Sequence, residues 1–290
     1  MIAVLSYKTK ATATGILIIL IWSGWITISR MGVQSHLTPA DITLLRYATA
    51  AVCAIPFALK YTLTKKNILR GIPMALGVGF PYTLLSFYAL RYTQAANAGV
   101  LVNGLLPVFT AFFGLLIFND KIPLRRTLAI VGIFGANMLM ITGGTGDVFS
   151  FSWLMLITAA LVYSIHMVSV RAFSFHFKDI LILTPLINIV LFAPLFFLFD
   201  SNLTTAPLSE IILQSLYQGV VVNMIALSCV SYTIKHLGAT TTSLFMSFVP
   251  TVTALLAFGA LGERLTPQEV LSIILCSGFL YLYNLKKVAP

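Results

Sequence analysis

Long apolar runs broken by short polar punctuation set the pattern of this chain. Ten stretches are mostly apolar, at residues 12–33, 39–59, 68–90, 94–117, 124–142, 151–172, 179–199, 210–235, 239–261 and 267–285. Each approaches the roughly 20 residues that a helix needs to cross a bilayer. The gaps carry helix starters and turn formers: Thr38-Pro39, Asn119-Asp120-Lys121, Gly143-Gly144-Thr145-Gly146-Asp147, Asp200-Ser201-Asn202 and Thr266-Pro267. The gap from Arg91 to Gln94 is very short. The pattern predicts an all-α integral membrane protein with ten transmembrane helices.

Composition agrees with this and removes some alternatives. Of 290 residues, 59% are apolar and 9% are charged, against roughly 25% charged in a soluble domain. A formal charge of +10 invites a nucleic-acid reading, but the bases are scattered between apolar runs, which is how bases anchor a membrane protein. Lys8 and Lys10 precede the first run as they would in a signal peptide. That run is long enough to span and has no clear cleavage site, so it is expected to stay as the first helix. Cys53, Cys229 and Cys276 lie inside apolar segments without CxxC spacing and are expected to be free thiols. No cofactor or metal is called for.

Charge also gives a sidedness. With the N-terminus in the cytoplasm, 14 of the 18 bases fall on the inner side, Lys286 and Lys287 among them. Only Arg30, Arg91 and Arg264 fall outside, and Arg46 lies within the second span. Both termini are therefore expected to face the cytoplasm in a multi-pass cell-membrane protein.

The two halves of the chain resemble each other. A shift of 143 residues places Ala96 on Ala239, Leu101 on Leu244, Pro107 on Pro250, Thr110 on Thr253, and Asp120-Lys121 on Glu263-Arg264. With slightly different offsets, Trp22-Ser23 falls on Tyr163-Ser164, Arg30 on Arg171, Asp41 on Asp179 and Pro56 on Pro194. The copies are predicted at residues 12–142 and 151–285. Each has five spans, so the second enters the membrane the other way up. Inverted repeats of this kind have two nearly equivalent conformations with a site between them near the midplane.

Pro250-Thr251-Val252-Thr253-Ala254-Leu255-Leu256 followed by Gly262-Glu263-Arg264-Leu265-Thr266-Pro267-Gln268 resembles the C-terminal repeat of EamA-type drug/metabolite transporters. Ala89-Leu90-Arg91-Tyr92-Thr93 through Pro107 resembles the same element in the first half, and Leu45-Arg46-Tyr47 the family's Leu-Arg-Phe signature. Asn119-Asp120-Lys121 departs from the family's usual Gly-Glu-Arg. The resemblance implies a central cavity lined by helices 1, 3, 4, 6, 8 and 9 and export of amino acids or related metabolites. It transfers no substrate.

On those helices, near the expected midplane, sit Trp22, Tyr82, Asn103, Tyr163, His166, Asn223 and Met246. Polar groups in lipid are costly unless paired or facing water, so these are candidate substrate-binding residues. The plain reading for each is a helix-to-helix hydrogen bond or core filling, and it is preferred for Asn137, Asn188 and Asn284. His166 offers a titratable group for proton coupling. Arg46 is expected to snorkel or to meet a helix-end carbonyl, with an anion-binding role as the sharper alternative. Asp120 and Glu263, at opposite faces, are expected to bond neighbouring helix ends or loops, as structural residues or gate latches. Pro73, Pro81, Pro107 and Pro250 are candidate kinks. Ala95/Gly99 and Ser243/Ser247 are small-residue pairs that permit close helix packing.

All eight carboxylates fall in loops or at helix ends, which argues against a buried acid relay and against strong attraction for organic cations. A membrane-embedded enzyme ranks low: HExxH, GxSxG and a Walker lysine are absent from the sequence. The expected partners are a small-molecule substrate and the lipid bilayer, not nucleic acid, with the chain a monomer or homodimer. The favoured cargo is a small polar metabolite such as an amino acid, and the alternative is a drug or a nucleoside derivative.

Overall fold

The computed structural model describes residues 2–143 and 151–285. Residues 144–147 of the glycine-rich loop, with Asp147, and the bases Lys286 and Lys287 lie outside the described residues. The described chain is helical in ten successive units. These are α1 (Ile2–Gln34), α2 (Pro39–Ala58), α3 in two pieces (Lys65–Gly77 and Phe80–Tyr92), α4 (Ala95–Phe118) and α5 (Leu124–Gly143). Then come α6 (Phe151–Ala172), α7 (Phe177–Phe196), α8 (Leu208–Leu237), α9 in two pieces (Ala239–Met246 and Val249–Leu261) and α10 (Pro267–Asn284). Nine are long and apolar enough to cross a membrane. The tenth, α10, has 18 residues, and Gln268, Glu269 and Asn284 at its ends dilute its apolar centre.

Local sequence explains the boundaries. At α2, Thr38 caps the helix, Asp41 closes the reciprocal box and Pro39 opens the first turn. At α7 the His176 amide donates to Asp179 Oδ2 at 2.7 Å, and Thr266 and Glu269 close a reciprocal box at α10. Such caps contribute about 1 kcal/mol each. The helix of α1 runs ten residues ahead of its apolar run, because each added residue gains a hydrogen bond once a helix is nucleated.

Two of the four prolines where kinks were expected break their helices. Proline at position i clashes with the carbonyl of i−4 and removes its donor. The breaks fall there: at Val78–Gly79 ahead of Pro81, and at Ser247–Phe248 ahead of Pro250. Each is stapled by an asparagine from a neighbouring helix. Asn188 Nδ2 donates to the Ala75 carbonyl (2.9 Å) and its Oδ1 accepts from the Phe80 amide (2.8 Å). Asn284 Nδ2 donates to Ser247 Oγ (3.2 Å). Pro73 and Pro107 correct the expectation, since Pro73 lies inside the unbroken first piece of α3 and Pro107 inside the continuous α4. Helix α8 carries a feature that apolar periodicity cannot reveal, a π-helical stretch over Ser215–Ala226.

The packing is symmetric under exchange of the two five-helix units. Helix α1 packs on α9 as α6 packs on α4, and α1 on α8 as α6 on α3. Helix α2 packs on α8 as α7 packs on α3, while α2–α7, α4–α9 and α5–α10 pair across the two units. The units are thus interleaved, not side by side. Even the loops obey the exchange: the Asp41 carboxylate accepts from Ser201 Oγ and the Asn202 amide, just beyond α7, and Asp179 accepts from Tyr61 Oη, just beyond α2. At Gly99 a Cβ would lie 3.3 Å from Thr253, so the small pair on α4 is where α4 and α9 meet. Outward, Phe112, Leu116, Val131, Phe134, Leu255 and Phe258 form an exposed apolar surface, which lipid solvates and water would not.

Candidate functional site

Four of the residues singled out from the sequence come together through one that was not. Trp25 lies between Trp22 (ring centroids 6.3 Å apart) and Tyr82 (5.7 Å). Tyr82 meets Tyr163 at 5.0 Å, and Tyr163 meets His166 at 5.9 Å. The result is a continuous aromatic path from α1 through α3 to α6, at contact distances that favour ring–ring attraction. Trp25 was legible in principle, because it sits one helical turn from Trp22. Tyr82 and His166 are buried, while Trp22 and Tyr163 are partly open. The His166 Nδ1–H donates to the Met74 carbonyl at 2.8 Å, which ties α6 to α3. Gly77 lies against the His166 backbone without room for a Cβ.

Beside this path lies a buried polar network. Gln218, inside the π-helical stretch, accepts on its Oε1 from both Trp25 Nε1 and Arg46 Nη1, each at 2.8 Å. Its Nε2 donates to Ser29 Oγ (2.9 Å) and to Gln214 Oε1 (3.2 Å). Asn223 Nδ2 donates to the Gln218 carbonyl at 2.6 Å, five residues away in sequence, the spacing of a π turn. The Arg46 guanidinium lies 5.7 Å from the Trp25 ring centroid and 5.6 Å from that of Tyr47. Arg46 is 2% exposed. It therefore neither snorkels nor caps a helix end, contrary to expectation. The helix end is too far along α2, and the amide of Gln218 is close.

Two ion pairs stand at opposite ends of the molecule, and the repeat relates them. Arg30 on α1 pairs with Glu263 after α9, and Arg171 on α6 pairs with Asp120 after α4. Their placement follows from one backbone device. Asn119 (φ 53°) and Gly262 (φ 67°) both end their helices in the left-handed conformation. The next amides then reach back, Asp120 N to the Gly114 carbonyl (3.1 Å) and Glu263 N to the Ala257 carbonyl (3.3 Å). This is the Schellman closure, and it places an acid just past each helix. Asparagine is the residue after glycine that best tolerates that φ, so Asn119 preserves the geometry despite its departure from Gly.

The pairs differ in exposure. The Arg30 and Glu263 side chains are 12% and 9% exposed, and those of Arg171 and Asp120 are 55% and 38%. Glu263 also accepts from the Ala95 amide at 2.9 Å, and Arg30 donates to the Leu90 carbonyl. Burial pushes the Glu263 carboxyl above its ordinary value despite those donors. Its exposed counterpart goes the other way, because the Arg171 hydrogen bond holds Asp120 below the usual carboxylate range. A cavity of about 310 Å³ opens at the Asp120 pair, walled by Ala111, Lys121, Arg126 and Tyr283. One end is thus packed shut, and the other is loosened.

The remaining candidates are scattered. Asn103 is half-buried and donates to the Gly99 carbonyl of its own helix at 2.9 Å. Met246 is half-buried and ends the first piece of α9 against the apolar core. Pro107 is half-buried on α4, and Pro250 is buried on α9. The three cysteines are unpaired.

Comparison with known proteins agrees with this architecture. The model of the EamA-like transporter family matches twice, at residues 9–142 and 150–285. The uncharacterized transporter YyaM of Bacillus subtilis (strain 168) is 26% identical over 255 residues, covering 82% of this chain and 81% of that one. An uncharacterized transporter of Archaeoglobus fulgidus is 23% identical over 265 residues, covering 86% and 88%. A crystal structure superposes with a TM-score of 0.64 at 20% identity over 94% of this chain and 96% of that one, which shows the shared fold. With ten interleaved helices and two family matches spanning nearly the whole chain, this protein belongs to the EamA-like transporter family and is a multi-pass membrane transporter, not an enzyme.

Proposed function

We propose that the chain is a secondary transporter that exports or exchanges small polar metabolites, such as amino acids, across the cytoplasmic membrane by alternating access. The observation that carries this is the symmetry of the two ion pairs. They are repeat equivalents at opposite ends, one packed shut and the other solvated beside a cavity. Rocking one unit against the other exchanges their environments, which is what alternating access requires. On this reading Asp120 and Glu263 are latches. The break ahead of Pro250 is a hinge, and Pro107 stiffens the equivalent place on α4. The positive-inside rule puts both termini and the Asp120 pair in the cytoplasm, so the conformation is closed outside and loosened inside.

The substrate then lies along the aromatic path, with Trp22, Tyr82 and Tyr163 as its walls. Asn103, Asn223 and Met246 lie on the flanking helices, and His166 fixes α6 to α3. A flat apolar group suits stacked rings, so a nucleoside derivative is the second reading. An organic drug cation suits the site poorly, because the charge beside the path is Arg46. Counterflow in proteoliposomes over a panel of amino acids and nucleosides tests the proposal. Exchange of at least one member supports it. No exchange or competition by any member defeats it.

A further inference from the structure

Arg46 is the buried charge with the weakest visible reason to be there. Taking a guanidinium out of water costs several kcal/mol unless a counter-ion repays it. Among the described residues no carboxylate lies within salt-bridge distance of it. What it has instead is neutral: the Gln218 amide oxygen and the faces of Trp25 and Tyr47. Its Nε is buried without an acceptor, and so is the Nε1 of Trp22, whose ring also packs on Trp25. Two orphaned donors on residues that both touch one ring leave an acceptor missing.

The fold does not need this charge. The shift that places Asp41 on Asp179 and Pro56 on Pro194 places Arg46 on Thr184. That position on α7 is equally buried, at 4% exposure, and the second unit packs there with a neutral residue. The cation therefore belongs to one side of the path only. It is held in place by Gln218, and the π-helical stretch is what carries Gln218. Such stretches are rare and concentrate at functional positions.

We infer that Arg46 is the anchor for a substrate carboxylate, with Gln218 holding the guanidinium so that its free edge meets the anion when the Glu263 end opens. This rests on the reading that the aromatic path is the substrate site. The inferred class is a small aromatic or apolar acid. The guanidinium binds the carboxylate as a planar fork, and the ring system stacks on Trp22, Tyr82 and Tyr163. Whether the acid also carries an ammonium group is left to the probe. The carboxylates all sit in loops or at helix ends, away from the midplane expected for the path, so an ammonium group adds little.

The test uses L-phenylalanine and two relatives that each differ from it at one group: phenylpyruvate, which lacks the ammonium, and L-phenylalaninamide, which lacks the carboxylate. Their binding to the purified full-length protein is titrated by thermal shift, alongside adenosine counterflow in proteoliposomes. In the wild type both acids bind at least about tenfold more tightly than the amide, the scale of one charge-assisted pair. Arg46→Gln removes that preference, and Arg46→Lys keeps part of it, with the ligand-free melting point recorded for each. The comparison of acid and amide in the wild type needs no variant to fold. An amide that binds as well as the acids, binding by none of the three, or an Arg46→Gln protein that keeps the preference overturns the assignment. Adenosine exchange without acid binding overturns the anchor alone and leaves the transport reading standing.

Discussion

Glu263→Gln separates the latch reading from a merely structural one. The side chain is isosteric, so it still offers an oxygen to the Ala95 amide, which Glu263 meets at 2.9 Å. What is lost is the negative charge facing Arg30 at 3.2 Å. Removing one member of a fully buried pair costs about 3–5 kcal/mol. Here both side chains keep some exposure, 12% and 9%, and Arg30 retains the Leu90 carbonyl, so about 2 kcal/mol is the better figure. If that energy stabilises only the form closed at this end, the open form gains roughly 30-fold in population. The reporter is a single cysteine at Ala98, 3% exposed and one turn inside Ala95, in a protein with Cys53, Cys229 and Cys276 replaced. Its alkylation rate in proteoliposomes rises roughly 30-fold in Glu263→Gln, whereas Asp120→Asn leaves it at or below the wild-type rate. An unchanged rate in Glu263→Gln, or equal rates in the two variants, refutes the latch.

Acidity acts on the two latches in different windows. The Glu263 carboxyl is raised above 4.5 by burial, so its ionisation opposes folding: that contribution is present below 4.5 and is lost as pH rises through the raised value. Asp120 is lowered from 3.8, so its contribution is present above 3.8 and is lost only as pH falls through the lower value. Thermal melts of the wild type therefore rise as the pH falls from about 7 toward about 5, and rise less in Glu263→Gln; a melting point that falls over that range contradicts the assignment of causes. Gly262→Ala, at φ 67°, lowers stability by about 1–2 kcal/mol in thermal melts, whereas Asn119→Gly, at φ 53°, is neutral to within about 0.5 kcal/mol. Asn188→Leu orphans the Phe80 amide and the Ala75 carbonyl at the break in α3, and costs about 2–3 kcal/mol in the same melts. His166→Ala lowers stability but leaves counterflow insensitive to a pH gradient; a gradient dependence that disappears in the variant assigns the proton to His166 instead.

The helices and the repeat were legible because burial in lipid is written in composition. About 20 apolar residues mark a span whichever way it faces, and a residue such as Arg30 aligns with Arg171 whatever it touches. The match of Asp120 to Glu263 carried more than it first conveyed. With Arg30 and Arg171 it describes one interaction used twice, and only the fold shows which base meets which acid. The interior was less legible for a physical reason. A helix apolar all round does not declare which face meets its neighbours, so only the one-turn spacing from Trp22 set Trp25 apart from a lipid-facing tryptophan. Gln214 and Gln218, four apart in an apolar span, were a usable signal, since amides in lipid must find partners. They point to the network that holds Arg46. The break at Ser247–Phe248 and the continuity through Pro107 were not separable in sequence, since both prolines offer the same local chemistry.

If two interleaved units exchange access around one site, neither latch can be locked without stopping transport. The most direct test cross-links each latch separately, with cysteine pairs replacing Arg30 and Glu263, or Arg171 and Asp120, bridged by a reducible bifunctional thiol reagent. Counterflow of an exchanged metabolite is measured in proteoliposomes before and after reduction. Alternating access predicts that either cross-link alone abolishes counterflow and that reduction restores it. Counterflow that persists with one end locked would contradict it.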